Sequence, residues 1–402
     1  MFTNRYVRTV ILSRVLLQLG IWIRNYAVLL YVTDLTNNNP VYVSLISVAE
    51  IAPIFLFGLI GGTFADRWRP KRTMVWSDVL SGLSVGAVLL AVMNGGWIAL
   101  LIGSFVSASL SQFSQPSAMK LYKRHVPVEQ LQSVMAMSQT LVAVFTVLGP
   151  VVGTFVFIQF GIKVSLIMTA VLFLGSSFIL STLPRDTEEP KANNTGGFIK
   201  ELTAGLRYIW ANQSLRTLSL SFAAIGLASG VTQPLQIFIV IEKLGQNKQF
   251  LQWLVMASGA AMLVGGIAVM GIAKKLKPQL LLLLGLLVTA FCTVGIGAST
   301  KIGLTIILLV ISGLFYPCIQ SGIQTLIVRN TEGAFIGRVS GAIMPVFMGM
   351  MVLGMFVSGY LKDTFSLLAV YELSGGLIIA GALLLFPLFI QNGRKVERSQ
   401  GL

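Results

Sequence analysis

The sequence predicts an all-α polytopic membrane protein of twelve transmembrane helices, arranged as two six-helix pseudo-repeats. Three observations carry that expectation. Of 402 residues, 55% are hydrophobic and only 11% charged, against roughly 25% charged in an ordinary soluble domain. The apolar residues gather into runs of about 20 or more, the length that crosses the hydrocarbon core of a bilayer. Two landmarks also recur at a similar offset. Ala65-Asp66-Arg67-Trp68-Arg69-Pro70 follows the second run as Ala273-Lys274-Lys275-Leu276-Lys277-Pro278 follows the eighth, and Phe113-Ser114-Gln115-Pro116 in the fourth matches Phe315-Tyr316-Pro317 in the tenth. A repeated spacing of this kind marks a duplicated unit.

Turn and charge signals delimit the spans in order. The first, 9–33, is too long for a cleaved leader and stays as a span; it ends at the polar turn around Asn38. The second, 41–61, runs to the charged loop that begins at Asp66. The third, 73–93, stops at Asn94-Gly95-Gly96, and the fourth, 97–118, at the basic residues from Lys120. Spans five and six, 131–157 and 164–183, are separated by a short outer turn that holds Lys163. The second half repeats the pattern with 215–240, 251–273, 279–299, 302–327, 339–361 and 366–390. The halves are expected at 1–183 and 215–402. Between them, 184–214 holds Pro184, Pro190, Asn193, Asn194, Gly196 and Gly197 and reads as a cytoplasmic linker. Within it Phe198, Leu202, Leu206, Ile209 and Trp210 recur at helical spacing, which suggests an amphipathic helix on the inner membrane surface.

The net charge of +15 can signal nucleic-acid binding, but these charges sit in short loops. Lys and Arg of the loops after even-numbered spans, with Arg5, Arg8, Arg394, Lys395 and Arg398 near the ends, far outnumber Lys163, Lys243, Lys248, Lys301 and Lys362 on the other side. The positive-inside rule therefore places both termini in the cytoplasm. No polar stretch reaches the roughly 50 residues of a separate domain, so energy for work is expected from a gradient or a partner. No Walker loop, zinc spacing or nucleophile elbow appears, and the chain is not expected to be an enzyme or to carry a cofactor or metal.

The loop Gly62 to Arg72, with Asp66-Arg67 followed by Lys71-Arg72, resembles the signature loop between helices 2 and 3 of the major facilitator superfamily. Gly149-Pro150-Val151-Val152-Gly153 resembles the antiporter motif of that superfamily's exporters. Asp34 to Thr36, Pro53, Ser77-Asp78 and Gly205 to Tyr208 make the chain look most like the drug and macrolide efflux branch of bacterial proton antiporters. The pattern departs in three places: Arg69-Pro70 replaces the usual glycine and basic residue, Val144 and Phe145 stand where the antiporter motif has a glycine, and span four carries no arginine between Trp97 and Met119. The resemblance implies that fold, a bacterial plasma-membrane location, and gating by Gly62, Asp66, Arg67, Lys71, Arg72, Gly149, Pro150 and Gly153. Asp66 would act as a latch on the cytoplasmic side.

Glu50 stands about midway along span two, whereas Asp78 and Glu372 lie within about two turns of span ends. A charge at the bilayer centre costs about 2.5–3.5 kcal/mol on insertion scales and normally faces protein or a water-filled cavity. Arg24 is the expected partner: counted from the turn near Asn38 and Asn39, at 1.5 Å per residue, the two fall within roughly 4 Å in depth. Desolvation and a nearby cation act on such a carboxylate in opposite senses, which suits either a structural pair or a proton-coupling one. Polar faces recur on the first and fourth spans of each half. Span one contributes Arg14, Gln18 and Asn25; span four Ser104, Ser107, Ser111, Ser114, Gln112 and Gln115; span seven Ser229, Thr232, Gln233 and Gln236; span ten Ser312, Tyr316, Gln320 and Gln324. Together they suggest a lined cavity, although hydrogen bonding between helices accounts for any one stripe. His125, the single histidine, lies in a loop, and Cys292 and Cys318 differ in depth by roughly 15 Å, too far for a disulfide.

The expected function is export of an amphipathic, drug- or macrolide-like small molecule in exchange for protons by alternating access, by a monomeric chain in the lipid bilayer with no nucleic-acid partner. A siderophore or lysophospholipid transporter is the alternative within transport. A non-transporting membrane receptor or assembly partner is the alternative from another class.

Overall fold

Prolines and short polar caps set the helix starts. A computed structural model describes residues 4–184, 198–272 and 276–385, and their side chains apart from those of 59–67, 198–201 and 334. The helix α1 (Arg5–Leu35) begins where the Asn4 side chain accepts a hydrogen bond from the Tyr6 amide at 2.9 Å. Asn37 and Asn38, at φ 52 and 61, make the left-handed turn to α2 (Pro40–Arg67), a conformation that asparagine tolerates. Proline opens both α2 and α3 (Pro70–Met93), where its missing donor costs nothing. Next come α4 (Ala99–His125) and α5 (Val128–Ser181).

The 54 residues of α5 would reach about 80 Å at 1.5 Å per residue, far more than one crossing. They form two limbs that reverse at Gly161, whose φ of 71 and ψ of −178 belong to glycine alone. The expected six-residue loop between spans five and six is thus a single-residue corner.

The second unit starts with α6 (Phe198–Ala211), followed at once by α7 (Gln213–Thr232), which Asn212 caps by accepting from the amides of Ser214 and Leu215. The regular helix stops at Thr232, short of the expected end at 240. Pro234 withholds a donor there, and the chain continues through a short turn, Gln236–Phe238, and a π-helical turn, Ile239–Lys243. Then follow α8 (Leu251–Ile272), α9 (Pro278–Ala298), α10 (Ile302–Asn330), α11 (Ile336–Thr364) and α12 (Leu367–Leu384). Ten segments among the described residues are long and apolar enough to span a membrane. The two limbs of α5 count there as one, and serine-rich α4 is the least apolar of the long helices, so the described residues form twelve spans.

The chain divides into two units, Met1–Thr195 and Gly196–Leu402. In the first, α1 lies along α5, α2 along α4, and α3 against α4 and α5; in the second, α7 lies along α11 and α12, α8 along α10, and α9 against α10 and α12. With the α5 limbs taken as fifth and sixth helices, the pairings are the same, so the duplication extends from sequence landmarks to packing. Equivalent seams are both close. A Cβ on Gly153 would fall 2.5 Å from the Trp22 carbonyl oxygen of α1, and one on Gly230 would fall 2.0 Å from that of Met351 in α11.

In the first unit two apolar clusters form, one around Val7, Met74, Leu121 and Leu180, the other around Val28, Ile46, Val88 and Leu166. In the second, α6 packs on α11 and α7. Ile209 is 1% exposed and Trp210 59%, so Ile209 packs against the unit while Trp210 stays on its surface.

Candidate functional site

The α1–α2 hairpin brings Arg24 and Glu50 into electrostatic reach of each other, but they do not close an ion pair. Arg24 is 4% exposed, and its Nε and Nη2 donate to Asn25 Oδ1 at 3.1 and 2.8 Å. Its Nη1 and Glu50 Oε1 are both buried without a hydrogen-bond partner. Asn25, expected on a cavity-lining stripe, holds the guanidinium. Each orphan needs a partner, because an isolated buried charge costs several kcal/mol.

A second buried charge cluster escaped the sequence reading. Asp78 of α3 is 2% exposed, more enclosed than Glu50, and accepts from Ser176 Oγ of α5 at 2.6 Å. Ser176 Oγ also lies 3.0 Å from Ser13 Oγ of α1, and Arg14 interacts electrostatically with Asp78 and Tyr122. The available signal was helical facing: Ser77, Asp78 and Ser81 share a side of α3, all of it buried.

Of the gating residues, the side chains of Gly62, Asp66 and Arg67 lie outside the described residues. Lys71 Nζ donates to the carbonyls of Ser181, at 2.8 Å, and Leu183, and Arg5 Nη2 donates to that of Thr182. Two cations thus satisfy the end of α5, where free carbonyls carry partial negative charge. Arg72 is exposed. Gly149 and Gly153 sit where α5 rests on Trp22; a Cβ on Gly149 would lie 2.3 Å from the indole. Pro150 is buried between them.

The polar stripes separate into buried and open members. Ser104, Ser107 and Ser114 are buried, and the hydroxyls of Ser104 and Ser114 have no partner. Gln115 is exposed, and Gln112 Nε2 donates to Ser111 Oγ at 3.3 Å. On α10, Gln320 Nε2 donates to the Tyr316 hydroxyl at 3.0 Å and Gln324 is exposed. Gln233 and Gln236 lie just beyond the regular end of α7, and Arg14 and Gln18 are half-buried. His125 stacks on Tyr6 at 3.7 Å between centroids. Cys292 and Cys318 are free and buried.

Twelve spans in two bundles with matching internal pairing, holding ionisable side chains at depth, define a polytopic membrane transporter. The family model described as Major Facilitator Superfamily matches residues 10–354 and 218–401, and the chain belongs to that superfamily. It is 24% identical to the uncharacterised MFS-type transporter YkuC of Bacillus subtilis (strain 168), with 97% of this chain and 88% of the relative covered. It is 22% identical to the multidrug efflux pump Tap of Mycobacterium tuberculosis (strain ATCC 25618 / H37Rv), covering 82% and 80%, and 21% identical to macrolide efflux protein A of Streptococcus pyogenes, covering 89% of each. In three dimensions it is similar to the nucleoside transporter NupG, with a TM-score of 0.78 at 13% identity over 96% of this chain and 100% of that one. That likeness speaks to the fold.

Proposed function

We propose that this transporter is a secondary active exporter that exchanges protons for amphipathic, drug- or macrolide-like small molecules across the bacterial plasma membrane. It would act as a monomer with both termini in the cytoplasm, its two six-helix halves alternating access to a midplane site. The observation that carries this reading is the Arg24–Glu50 arrangement: a deep carboxylate with an unpartnered oxygen beside a guanidinium with an unpartnered nitrogen. The efflux relatives support the direction of transport and the substrate class. In this reading Glu50 carries the proton and Arg24 competes with it for the carboxylate. Polar side chains of α1, α4 and α10, with Gln233 and Gln236 after α7, face the substrate. Asp66 latches the cytoplasmic side.

The test is efflux of a compound panel from a pump-deficient bacterial host and from everted vesicles with an imposed proton gradient. Glu50→Gln is expected to abolish accumulation driven by the gradient while permitting downhill exchange, because glutamine keeps volume and hydrogen bonding but cannot titrate. Asp66→Asn is expected to slow turnover with substrate binding intact. Full proton-driven efflux by Glu50→Gln would overturn the coupling role.

A further inference from the structure

We propose that the first unit holds a binding site for the phosphate headgroup of an anionic glycerophospholipid, at the end where α2 passes into α3. A cleft of about 700 Å³ opens there, lined by Trp68, Arg69, Arg72, Trp76, Leu110 and Phe113 among others. Its size is that of a ligand pocket, and its chemistry is divided between a charged rim and an apolar floor.

The rim carries Arg69, the extended residue just before α3, and Arg72 in the first turn of that helix, and both line the same cleft. Both are exposed, and among the described residues neither guanidinium makes a hydrogen bond or an ion pair. By contrast, Lys71 and Arg5 nearby are both bound to carbonyls at the end of α5. The Arg69 side chain leaves the amino end of α3 uncapped, so amides of the first turn add partial positive charge at the same place. Planar guanidiniums match phosphate oxygens in geometry as well as charge.

The floor favours a lipid over a free phosphate. Trp68 packs on Phe113 with centroids 5.7 Å apart, and Trp76 is half exposed. From Trp76 the outer face of α3 continues through Leu80, Leu83 and Leu90, all exposed, at helical spacing. In a membrane protein that stripe meets hydrocarbon, and tryptophans concentrate at the level of headgroups. A headgroup on the two arginines would thus lay its acyl chains along the stripe, which a soluble anion cannot use. The site stands apart from the transport proposal, and only its assignment to the inner leaflet depends on the orientation given there.

The test is native mass spectrometry of the purified full chain with added phosphatidylglycerol or phosphatidylcholine. The expected result is preferential retention of phosphatidylglycerol, weakened roughly fivefold by Arg69→Gln or Arg72→Gln and about thirtyfold by both, from the usual worth of a basic residue near an anionic membrane. Arg207→Gln, the same charge change on α6, should leave the preference intact. Equal retention of both lipids, an unaffected double variant, or displacement of phosphatidylglycerol by inorganic phosphate would each overturn the proposal. If the double variant does not fold, tryptophan fluorescence of the native chain in nanodiscs decides: quenching by bromine-labelled phosphatidylglycerol must exceed that by bromine-labelled phosphatidylcholine, and equal quenching refutes the site.

Discussion

Ser176 of α5 donates its hydroxyl proton to the Asp78 carboxylate of α3 at 2.6 Å. With one proton to give, Ser176 must accept from Ser13 Oγ of α1, 3.0 Å away. Three helices are thereby tied at one point by groups that are all buried. Apolar packing in a membrane is non-directional and lacks the aqueous hydrophobic drive, so polar contacts of this kind fix which helix faces meet.

Removing the acceptor should therefore cost stability and keeping it should not. Asp78→Ala leaves the Ser176 proton without its carboxylate and removes an acid that interacts electrostatically with Arg14. The expected loss is about 2 kcal/mol, the worth of a hydrogen bond to a charged group, or a melting temperature lower by roughly 4–8 °C for a unit of this size. Asp78→Asn retains an acceptor oxygen and should lose less than half as much. Thermal unfolding of the purified protein in detergent, followed by size-exclusion chromatography, checks the order of the two.

Close helix contact makes a second test. Gly153→Ala would place a methyl 2.5 Å from the Trp22 carbonyl oxygen, and backbone cannot give way as a side chain can. We expect about 1–3 kcal/mol of destabilisation. Gly86→Ala on α3, where a Cβ would meet nothing within 4 Å, should be neutral or stabilising, since glycine is the poorer helix former by about 1 kcal/mol. Equal losses in both variants would show that the Gly153 contact is not close in solution.

The fold was legible because bilayer thickness and charge asymmetry impose long-wavelength patterns on the sequence. Pro70 and Pro278 were also legible, as the repeated landmarks after the second and eighth spans. What stayed hidden was decided by single residues or by tertiary contact. The Gly161 corner needs only one left-handed residue, so no polar loop announces it. The break after Thr232 was written in Pro234 but masked by the apolar residues around it. Arg24 and Glu50 were found by depth alone, and depth does not say which way a guanidinium turns. It turns to Asn25, the next residue in the chain. Asp78 was discounted for lying near a helix end, yet enclosure by α1 and α5 buries it regardless of depth.

On the opposite side of the duplication, Lys362 Nζ of α11 lies 2.7 Å from Glu242 Oε1 and 4.3 Å from the centre of the Phe238 ring. The carboxylate is 43% exposed while the ammonium is only 12% exposed. Solvent screening leaves such a pair about 0–1 kcal/mol, whereas the cation over the ring adds about 0.5–1 kcal/mol or more as it loses water. Lys362→Met should therefore lower the melting temperature more than Glu242→Gln, and added salt should shrink the Glu242→Gln effect. A larger loss in Glu242→Gln would mean that the ion pair dominates.

The last prediction separates architecture from coupling at Arg24 and Glu50. Each leaves one polar atom buried and unpartnered, yet each moderates the other's charge across the α1–α2 hairpin. Arg24→Met exposes Glu50 to an apolar setting with no cation in reach and also strips Asn25 Oδ1 of two donors. Glu50→Gln leaves the guanidinium buried beside a neutral group. Both single variants should lose stability, and in the double variant part of that loss should return, with a coupling energy in the range of about 0.5–3 kcal/mol found for interacting neighbours. Stability is where the two roles coincide, so transport must divide them. If the pair only braces the hairpin, the double variant regains proton-driven efflux together with its melting temperature. If Glu50 carries the proton, the melting temperature recovers while gradient-driven efflux stays absent and downhill exchange persists. We expect the second outcome, measured in everted vesicles at matched protein levels, because a brace would have closed the ion pair and this one is left open.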